Sequence, residues 1–508
     1  MKTFTLLVLL LLPSLIFPQS IDWIKTTGDI LNDFGNYVQT DSAGNIYASG
    51  IAQGSCNFGA NTLVSTNQFN FVAKYDSNGN NLWATQFNWD TAFSSSWYVF
   101  FYNDFKVSRQ GDAVMVGTLN NNSYEWGSVV KFNSAGAITF QYLIPVVSQI
   151  TNVDFDANGN YFISGSYLGS QSFFGKFSPT AQLWNVNLNV ASGLTIKVTS
   201  DNGFIIEGIF TGSLTVPDYF SDSIVLHATQ GILGTDRFFA KYTNDGHLVW
   251  ARNYNESVKQ ANMTVDPLTN SIYYLTEDNS YFYLSCVDSS GNKLWTNQVC
   301  SSNGPWFTWN PQVLVHDGSL YLAGPGSDYY FGSPYNATSS AFLLNRYDLN
   351  GNLTGQISPQ TTSNLKVYAG DVAFINNSMA LTGGVVDTGS WGNQSLTSHG
   401  SSDFFIAKMP ESNFDAASAI QTVRGAPGVK IYPNPSSGEF FVSFESTANA
   451  ETEIRIADML GKNVYTESFS GGVGNVTHSI KTSNLAAGVY IVTLRVAGES
   501  TNEKIIIN

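Results

Sequence analysis

The sequence of 508 residues has little charge of either sign. Only 12% of the residues are Asp, Glu, Lys or Arg, and the acidic ones are in excess, so the formal net charge is −15 at pH 7. A surface of this kind offers no positive patch for nucleic acid or for an anionic lipid surface. We therefore expect no nucleic-acid partner. The many Asn, Ser, Thr, Gly and aromatic residues suit a β-protein that works outside the cell.

Cysteine is also scarce, because the chain has only Cys56, Cys286 and Cys300. An odd and sparse set excludes a small scaffold that is held together by disulfides. Cys286 and Cys300 flank one predicted hairpin, whose turn at Ser290-Gly291 places Cys286 opposite residue 295. Cys300 then lies about 15 Å farther along the strand, at about 3.3 Å per residue. We therefore predict that these two cysteines are not bridged.

Long apolar runs are missing after the first residues of the chain. The run behind Lys2 covers Leu6 to Leu12, which is too short to span a bilayer. A charged start followed by a short apolar run is typical of a secretory signal peptide. We therefore predict a signal peptide over residues 1–20 and a protein that is secreted or held on the outer-membrane surface.

Catalytic and metal-binding motifs are missing as well. The sequence contains no H-E-x-x-H and no G-x-S-x-G motif. A glycosidase needs two carboxylates about 5–10 Å apart, and no pattern pairs the acids that could reach the variable loops: Asp90, Asp104, Asp236, Glu256 and Asp328. We therefore expect no enzyme activity, no catalytic residue, no cofactor and no metal ion.

Repetition, in contrast, is abundant. The segment FVAKYDSNGNNLW (71–83) recurs as FFAKYTNDGHLVW (238–250), YLSCVDSSGNKLW (283–295) and FGKFSPTAQLW (174–184). Each copy is predicted to be a β-hairpin, because alternating apolar residues flank a turn of Asp, Asn and Gly. A second hairpin precedes each copy, as in YVQTDSAGNIYASG (37–50). Two hairpins make a four-stranded unit, and we count seven such units.

The seventh unit indicates how the units are arranged. It contains FFIAK (404–408) but lacks its last strand, which is found near the start of the chain as IDWIKT (21–26). Trp23 has there the place that Trp83 has in the first unit. Four-stranded repeats of this period are typical of propellers, in which closure removes exposed strand edges. We therefore predict an all-β fold, with a seven-bladed β-propeller over residues 21–410 that the N-terminal strand closes.

These repeats resemble a known family. The pattern F-[VFI]-A-K-Y-D-x-x-G-x-L-W, preceded by an F-G step such as Phe58-Gly59, is similar to the bacterial β-propeller repeat of large surface and secreted proteins. Phe140 and Leu353 depart from it, because they stand where other units have tryptophan. The resemblance implies a propeller outside the cell and no particular activity.

The C-terminal residues carry a second set of motifs, which begins with the sequence YPNP. The motif residues are Tyr432, Pro433, Asn434, Pro435, Gly461, Gly488, Tyr490 and Lys504. In this order they resemble the C-terminal sorting domain of the type IX secretion system. The resemblance implies a small Ig-like antiparallel β-sandwich over residues 428–508, after a linker at 411–427. It also implies that this domain binds the secretion machinery of Bacteroidetes-type bacteria.

The candidate ligand site lies in the loops. Tight turns lie on one face of a propeller, and the connections on the other face vary widely here, as binding loops do. Three of these connections are rich in aromatic residues, whose rings suit stacking on sugars or packing against a peptide. The predicted ligand-binding residues are Trp89, Trp97, Tyr98, Trp306, Trp309, Tyr329 and Tyr330.

Three functions remain open on this basis. The first is a monomeric, non-enzymatic binding or adhesion protein that holds a polysaccharide or a surface protein. The second is a polysaccharide-active hydrolase or lyase with a propeller catalytic domain, and the third is a structural spacer. The aromatic residues could also only cover the blade ends. We expect Phe331 to belong to the core, because it matches Phe58 and Trp391 in the F-G step.

The Asp-x-x-Gly-Asn turns allow a calcium hypothesis. The residues from Asp154 to Gly159 match the first half of an EF-hand loop, but Gly165 stands where that loop needs Glu. The same turn recurs on many hairpins, so we interpret these aspartates as turn-forming residues.

Overall fold

The computed structural model describes residues 19–87, 99–120, 125–144, 147–167, 171–189, 191–229, 235–256, 262–278, 281–301, 312–325, 329–330, 333–334, 342–357, 359, 361–362, 364–414, 430–446, 450–458, 463–471, 474–482, 485–496 and 499–507. Most of the predicted signal peptide therefore lies outside the described residues. The chain divides into two units, residues 1–418 and 419–508. The finer limits at residues 20, 410 and 427 stay predictions.

The first unit is built from strands. They are β1 (Trp23–Thr27), β2 (Phe34–Thr40), β3 (Ile46–Asn57), β4 (Thr62–Tyr75), β5 (Asn81–Phe87), β6 (Val99–Val107), β7 (Ala113–Asn120), β8 (Glu125–Phe132), β9 (Ile138–Ile144), β10 (Val147–Phe155), β11 (Tyr161–Tyr167), β12 (Gln171–Phe177), β13 (Gln182–Asn189), β14 (Ala191–Val198), β15 (Phe204–Thr211), β16 (Ser213–Pro217), β17 (Ser223–His227), β18 (Thr235–Tyr242), β19 (Leu248–Tyr254), β20 (Met263–Val265), β21 (Ile272–Asp278), β22 (Tyr281–Val287), β23 (Lys293–Ser301), β24 (Gln312–His316), β25 (Ser319–Pro325), β26 (Tyr329–Tyr330), β27 (Ser333–Pro334), β28 (Phe342–Asp348), β29 (Leu353–Ile357), β30 (Lys366–Ile375), β31 (Ser378–Val386), β32 (Thr388–Trp391), β33 (Gln394–Thr397) and β34 (Asp403–Pro410).

These strands form seven four-stranded antiparallel sheets among the described residues. Sheets 1, 2, 3 and 5 use consecutive strands, which are β2–β5, β6–β9, β10–β13 and β20–β23. Sheets 4, 6 and 7 have a two-stranded hairpin inserted between their second and third strands. Their orders are β14-β15-β18-β19, β24-β25-β28-β29 and β30-β31-β34-β1. The predicted all-β class is confirmed.

The seventh sheet takes its fourth strand from the other end of the chain. Strand β1 pairs antiparallel with β34, so that Trp23 lies opposite Lys408 and Thr27 lies opposite Phe404. This pairing confirms the prediction that the segment IDWIKT completes the FFIAK unit.

Each sheet packs against the next, and the seventh packs against the first. Between sheets 7 and 1, Phe404 and Ile406 are buried against Val38 and Phe71. The rings of Phe71 and Phe404 meet edge to face, with their centroids 5.1 Å apart. Buried clusters of the same kind join each of the remaining six pairs of neighbouring sheets. The first unit is therefore a propeller-like ring.

The tryptophan of the repeated motif packs on the turn of the next sheet. A Cβ placed on Gly136, in the turn of sheet 2, would lie 2.5 Å from the ring of Trp83 in sheet 1. Gly136 also has a φ of +85°, which favours glycine. The indole Nε1–H donates to a carbonyl of that turn in the pairs Trp23–Ser77, Trp83–Ser134 and Trp250–Ser289.

The two units without tryptophan precede the two positions without a glycine turn. Phe140 takes the tryptophan position in sheet 2, and the following turn in sheet 3, residues 178–181, contains no glycine. Leu353 takes it in sheet 6, and sheet 7 has no turn there, because β34 and β1 come from different parts of the chain. Phe414 packs against Gly355 of sheet 6 instead. Tryptophan and turn glycine therefore occur as a matched pair in neighbouring sheets.

The aspartates of the turns hold the backbone, as predicted from their recurrence. Asp76 Oδ1 accepts hydrogen bonds from the backbone N–H groups of Asn78 and Asn80, both at 2.9 Å. Its Oδ2 accepts the side-chain amide of Asn80 at 2.8 Å. The arrangement is repeated at Asp156, Asp288 and Asp348.

The cysteine prediction is also confirmed. Cys286 lies opposite Trp295, and Cys300 lies opposite Phe282 on the same pair of strands. Cys286 is buried and free, so the register that the turn sets keeps the two cysteines apart.

In the part of the second unit that the structure describes, the strands form two sheets. Its strands are β35 (Lys430–Tyr432), β36 (Glu439–Ser446), β37 (Ala450–Asp458), β38 (Asn463–Gly471), β39 (Gly474–Lys481), β40 (Gly488–Val496) and β41 (Glu499–Ile507). One sheet has the order β35-β36-β39, and the other has the order β38-β37-β40-β41. Their shared core includes Phe440, Ile456, Val492 and Ile505.

The tryptophan–turn contact predicts unequal costs for two similar glycine substitutions. Gly136 and Gly159 both have positive φ, so alanine at either position should cost about 1 kcal/mol of unfolding free energy. A Cβ on Gly159 would meet nothing within 4 Å, whereas one on Gly136 would collide with Trp83. We expect Gly136→Ala to cost about 1–3 kcal/mol more than Gly159→Ala. Guanidinium unfolding followed by tryptophan fluorescence measures the difference, and equal costs would contradict the contact.

Ring closure predicts that the first strand stabilises the whole unit. Deletion of residues 21–26 exposes the edge of β34, so we expect a sharply lower melting temperature. Trp23→Ala keeps the strand but loses the half-buried ring, and we expect it to cost about 2 kcal/mol. Lys25→Ala, at an exposed position of the same strand, should be close to neutral. Calorimetry of a chain that starts at residue 19 makes the comparison, and an unchanged melting temperature after the deletion would refute closure.

Candidate functional site

The predicted aromatic ligand residues are mostly outside the part of the chain that the structure describes. This applies to Trp89, Trp97, Tyr98, Trp306 and Trp309. For Tyr329 and Tyr330 the backbone is placed in β26, opposite Pro334 and Ser333. Their role in binding therefore stays a prediction.

The F-G step belongs to the core where it is described. Phe58 and Trp391 are both buried, as predicted for this step. The indole of Trp391 donates to the side chain of Gln19 at 3.0 Å. Phe331 lies outside the described residues.

Of the acids that could reach the variable loops, Asp90 and Asp328 lie outside the described residues. The other three, Asp104, Asp236 and Glu256, accept hydrogen bonds within the fold. Asp236 is buried and accepts hydrogen bonds from Thr229 and Asn253. Glu256 accepts from Tyr274 and forms an ion pair with Lys293. Among the described residues, no group of three or more His, Cys, Asp or Glu side chains could hold a metal ion. No helix in the described part of the chain is long and apolar enough to cross a membrane.

An exposed group of aromatic rings lies at the rim of the first unit, and these residues are not among the ligand-binding residues predicted from the sequence. The inserted hairpin β16–β17 is fixed by Leu214, Val216 and Leu226, which are buried between sheets 3 and 4. Its tip brings Tyr219 and Phe220 beside the turn of sheet 4. Tyr219 and Phe220 are 46% and 55% exposed, which is high for large aromatic side chains.

Three rings form a continuous surface, which we call the aromatic platform: Tyr219, Phe220 and His247. The rings of Phe220 and His247 are stacked, with their centroids 4.0 Å apart and an interplanar angle of 16°. The ring centroid of Tyr219 lies 5.3 Å from that of Phe220 and 5.9 Å from that of Trp184 in sheet 3. The platform therefore extends to the surface from Trp184, the tryptophan of the repeated motif in sheet 3.

The hairpin tip is rigid because one carboxylate fixes it. Asp218 Oδ1 accepts the backbone N–H groups of Phe220, Ser221 and Asp222 at 2.8, 2.7 and 2.9 Å. The backbone N–H of Tyr219 donates to the Gly246 carbonyl at 3.0 Å, which joins the tip to the turn.

Two carboxylates, those of Asp218 and Asp245, lie beside the imidazole of the platform. Desolvation opposes ionisation of Asp218, but the three amide hydrogen bonds outweigh it and hold the pKa of Asp218 below its ordinary value. The hydroxyl of Thr243 lowers the pKa of Asp245 in the same way. His247 lies between the two carboxylates, at 3.5 Å from Asp218 and 3.9 Å from Asp245. This arrangement suits a ligand with an apolar face and hydroxyl donors, and it disfavours an anion.

A weak signal for the platform exists in the sequence. The tip reads PDYFSD, where two aromatic residues stand in a turn that polar residues would ordinarily fill. The hairpin folds back along the rim, so the platform lies beside a tight turn, whereas the predicted ligand residues belong to the variable connections. Only the tertiary structure brings His247 next to this hairpin.

Polar side chains also connect the first strands of neighbouring sheets, which we call the inner strands. The first strand of each sheet is an edge strand, so some of its N–H groups have no partner within the sheet. Side chains of the preceding sheet accept them: Val38 N–H donates to Asp371 at 2.9 Å, and Val153 N–H donates to Asp104 at 3.1 Å. The same contact joins Val198 to Asp154 at 2.8 Å and Ile196 to Asn152 at 2.9 Å.

Two lysines balance these inner carboxylates. Lys106 lies 3.7 Å from Asp104. Desolvation lowers the pKa of Lys106, but Asp104, Asp154 and Asp371 together raise it above its ordinary value. Burial and the nearby Lys106 lower the pKa of Lys197. Burial raises the pKa of Asp371 to about 7. The inner group is therefore a charge network that joins neighbouring sheets.

The motif residues of the second unit meet at its last strand. The side-chain amide of Asn434 donates to the Lys504 carbonyl at 2.7 Å, and its oxygen accepts the Ile506 N–H at 3.0 Å. Tyr490 is buried, and its hydroxyl donates to the Ala486 carbonyl at 2.8 Å.

The other motif residues are more separate. Gly488 begins β40, and Gly461 lies outside the described residues. Tyr432 is exposed, and its ring lies 5.7 Å from that of Phe441. Pro433 and Pro435, on either side of Asn434, are also exposed.

Comparison with known proteins identifies the second unit. Residues 430–508 match the family described as "Secretion system C-terminal sorting domain". This domain marks proteins that the type IX secretion system exports to the cell surface or the extracellular space. The chain is therefore exported by that system, and its second unit interacts with the secretion machinery. A comparison with curated proteins found no match.

Solved structures that are similar to this chain include three from different organisms. The Neurospora crassa Pan2 WD40 domain is 9% identical, with a TM-score of 0.38 and coverage of 75% of this chain and 97% of that chain. Drosophila Plexin A in complex with Semaphorin 1b is 7% identical, with a TM-score of 0.37 and coverage of 77% and 87%. A Bacteroides caccae protein of unknown function is 10% identical, with a TM-score of 0.35 and coverage of 56% and 89%.

The inner charge network predicts a pH dependence of stability. The folded state raises the pKa of Asp371 from 3.8 to about 7, so between these values the folded chain keeps a proton that the unfolded chain releases. Asp371 therefore stabilises the fold fully below about pH 4, and this contribution is lost as the pH rises towards 7, by at most about 4 kcal/mol. We expect Asp371→Ala to remove this fall from the stability profile measured by denaturant unfolding between pH 4 and 8. Asp222→Ala, at an exposed position, is the control, and equal slopes in all three proteins would contradict the prediction.

Proposed function

We propose that this protein is a non-enzymatic glycan-binding protein that acts outside the cell, and that its aromatic platform holds a neutral sugar ring of a polysaccharide. The observation that carries the proposal is the contact between the exposed rings of Tyr219 and Phe220, on a hairpin with a buried base, and the imidazole of His247 in the turn of sheet 4. Stable exposure of several large rings is costly in water, so such patches usually mark binding sites.

The charges of the platform support a neutral ligand. Asp218 and Asp245 lie beside the imidazole of His247, and the whole chain carries a net charge of −15. An acidic polysaccharide would be repelled at this place, whereas sugar hydroxyls can donate to the carboxylate of Asp245, whose side chain is 69% exposed. A neutral hexose also offers an apolar ring face to the aromatic side chains.

The fixed conformation of the hairpin supports binding through a small contact area. The base of the hairpin is buried, and Asp218 fixes three successive amides of its tip. A surface that is already ordered loses little conformational entropy on binding. Glycan binding therefore does not require the hairpin to rearrange.

Binding is better supported than hydrolysis. One carboxylate oxygen of Asp218 accepts three backbone amides, so it is committed to holding the turn. Asp104 is committed to the neighbouring inner strand in the same way, through Val153. A hydrolase or lyase needs carboxyl groups that are free to exchange protons with the substrate.

Our proposal includes the finer description of the fold. We infer that the seven sheets are the blades of a seven-bladed β-propeller of the bacterial β-propeller repeat type, closed by β1. The second unit would then be an Ig-like sandwich, and a signal peptide would precede residue 21. The aromatic connections that include Trp97 and Trp306 would supply a second contact for a glycan or a surface protein on the opposite face, and the protein would act as a monomer.

Removal of the platform rings tests the proposed function. We expect the double substitution Tyr219→Ala and Phe220→Ala to weaken binding to neutral polysaccharides at least about tenfold, because each buried stacking contact contributes on the order of 1 kcal/mol. Val225→Ala is the control, because it removes a 53%-exposed side chain from the same hairpin. Affinity electrophoresis against neutral and acidic polysaccharides measures the change, and Trp97→Ala with Trp306→Ala tests the other face.

The same experiment separates the alternative functions. Equal binding by the platform variant and the wild type would contradict the platform. New reducing ends in the incubated polysaccharides would show a hydrolase or lyase instead. No binding to any polysaccharide would leave a protein ligand or a spacer role.

A further inference from the structure

The last strand of the second unit is an edge strand. β41 pairs with β40 on one side only, with Ile506 opposite Val489 and Lys504 opposite Ile491. Edge strands present backbone N–H and C=O groups that are open to another partner. The outer side of β41 therefore needs a cap if its position is to be fixed.

The YPNP segment provides this cap. Three backbone groups on the outer side of β41 are satisfied by it: the Lys504 carbonyl and the Ile506 N–H by the side chain of Asn434, and the Ile506 carbonyl by the backbone N–H of Ser436 at 2.8 Å. An asparagine amide has one donor and one acceptor side, so it can replace the backbone of a neighbouring strand. Ser436 also forms an isolated parallel bridge with Ile507.

The cap joins the two ends of the sorting domain. Tyr432 pairs with Phe441 in the three-stranded sheet, whereas Ile506 belongs to the four-stranded sheet. Asn434 lies between them and is itself exposed, as Tyr432 and Lys504 are. Motif residues that are far apart in sequence therefore form one continuous surface.

We propose that Asn434 is a positioning residue for export. It holds β41 in register against the YPNP segment, so that the exposed ring of Tyr432 and the exposed residue Lys504 of β41 together form the surface that the secretion machinery contacts. The machinery is the one partner that the matched domain implies. Neither the first motif nor the last strand forms this surface alone.

Substitutions of Asn434 in the full chain test the proposal in a bacterium that has the type IX system. Asn434→Ala removes both hydrogen bonds, and Asn434→Asp keeps the acceptor for Ile506 but loses the donor to Lys504. We expect the extracellular fraction of the chain to fall at least tenfold in Asn434→Ala and by a smaller factor in Asn434→Asp. Hydrogen exchange of the Ile506 amide in the purified chain should accelerate at least tenfold in Asn434→Ala.

Two controls separate positioning from folding. Asn463→Ala removes an asparagine hydrogen bond to Thr466 on the opposite edge strand of the same sheet, and it should be exported like the wild type. Val492→Ala weakens the buried core of the unit without touching the cap, so it should lower the melting temperature and keep export.

The outcomes are distinct. Normal export of Asn434→Ala would overturn the proposal. Export that falls in proportion to melting temperature in both Asn434→Ala and Val492→Ala would also overturn it, because stability alone would then explain the loss. Loss of export with unchanged exchange at Ile506 would show that Asn434 acts without holding the strand, which overturns the positioning role.

Discussion

The first unit depends on a contact that is made between neighbouring sheets, the packing of a tryptophan on the glycine turn of the next sheet. Trp83 leaves no space for a side chain at Gly136, and its indole donates to the same turn. This contact fixes the offset of each sheet relative to the next, and it is absent only where the partner turn has no glycine or does not exist. The units with Phe140 and Leu353 in place of tryptophan are therefore consistent with the pairing of tryptophan and turn glycine. The closing strand obeys it too, because Trp23 packs on Gly79 of sheet 1.

The same contact explains where the ring can carry a site. Sheet 4 has an inserted hairpin that lies against Trp184, so Tyr219 continues the stack outward and Phe220 and His247 extend it to the surface. The inner strands behave differently, because their carboxylates accept amides of the neighbouring strand and are balanced by lysines. Aromatic side chains are thus exposed at the rim of the first unit, whereas charged side chains on the inner strands hold neighbouring sheets together. This division is the physical basis for proposing a binding protein.

Export and the proposed ligand binding involve separate parts of the chain. The second unit has its own core, and the side chain of Asn434 connects the first sorting motif to Lys504 and Ile506 in the last strand. One asparagine can link a motif near residue 432 to a strand near residue 506 because its amide imitates the backbone of a strand. The sorting motifs therefore describe a surface that exists only after the unit has folded.

The sequence by itself determined the all-β class, the repeated hairpins, the completion of the last unit by residues 21–26, the turn role of Asp76, and the sorting domain. These features depend on local alternation, turn residues and motif order, which each short segment carries. The tertiary structure decided which residues meet: Trp83 with Gly136, Asp371 with Val38, Phe220 with His247, and Asn434 with Ile506. Such pairs come from different repeats or from opposite ends of a unit, and their contacts depend on how the sheets pack. No local pattern encodes that packing, so the platform could not be predicted from residues 218–222 alone.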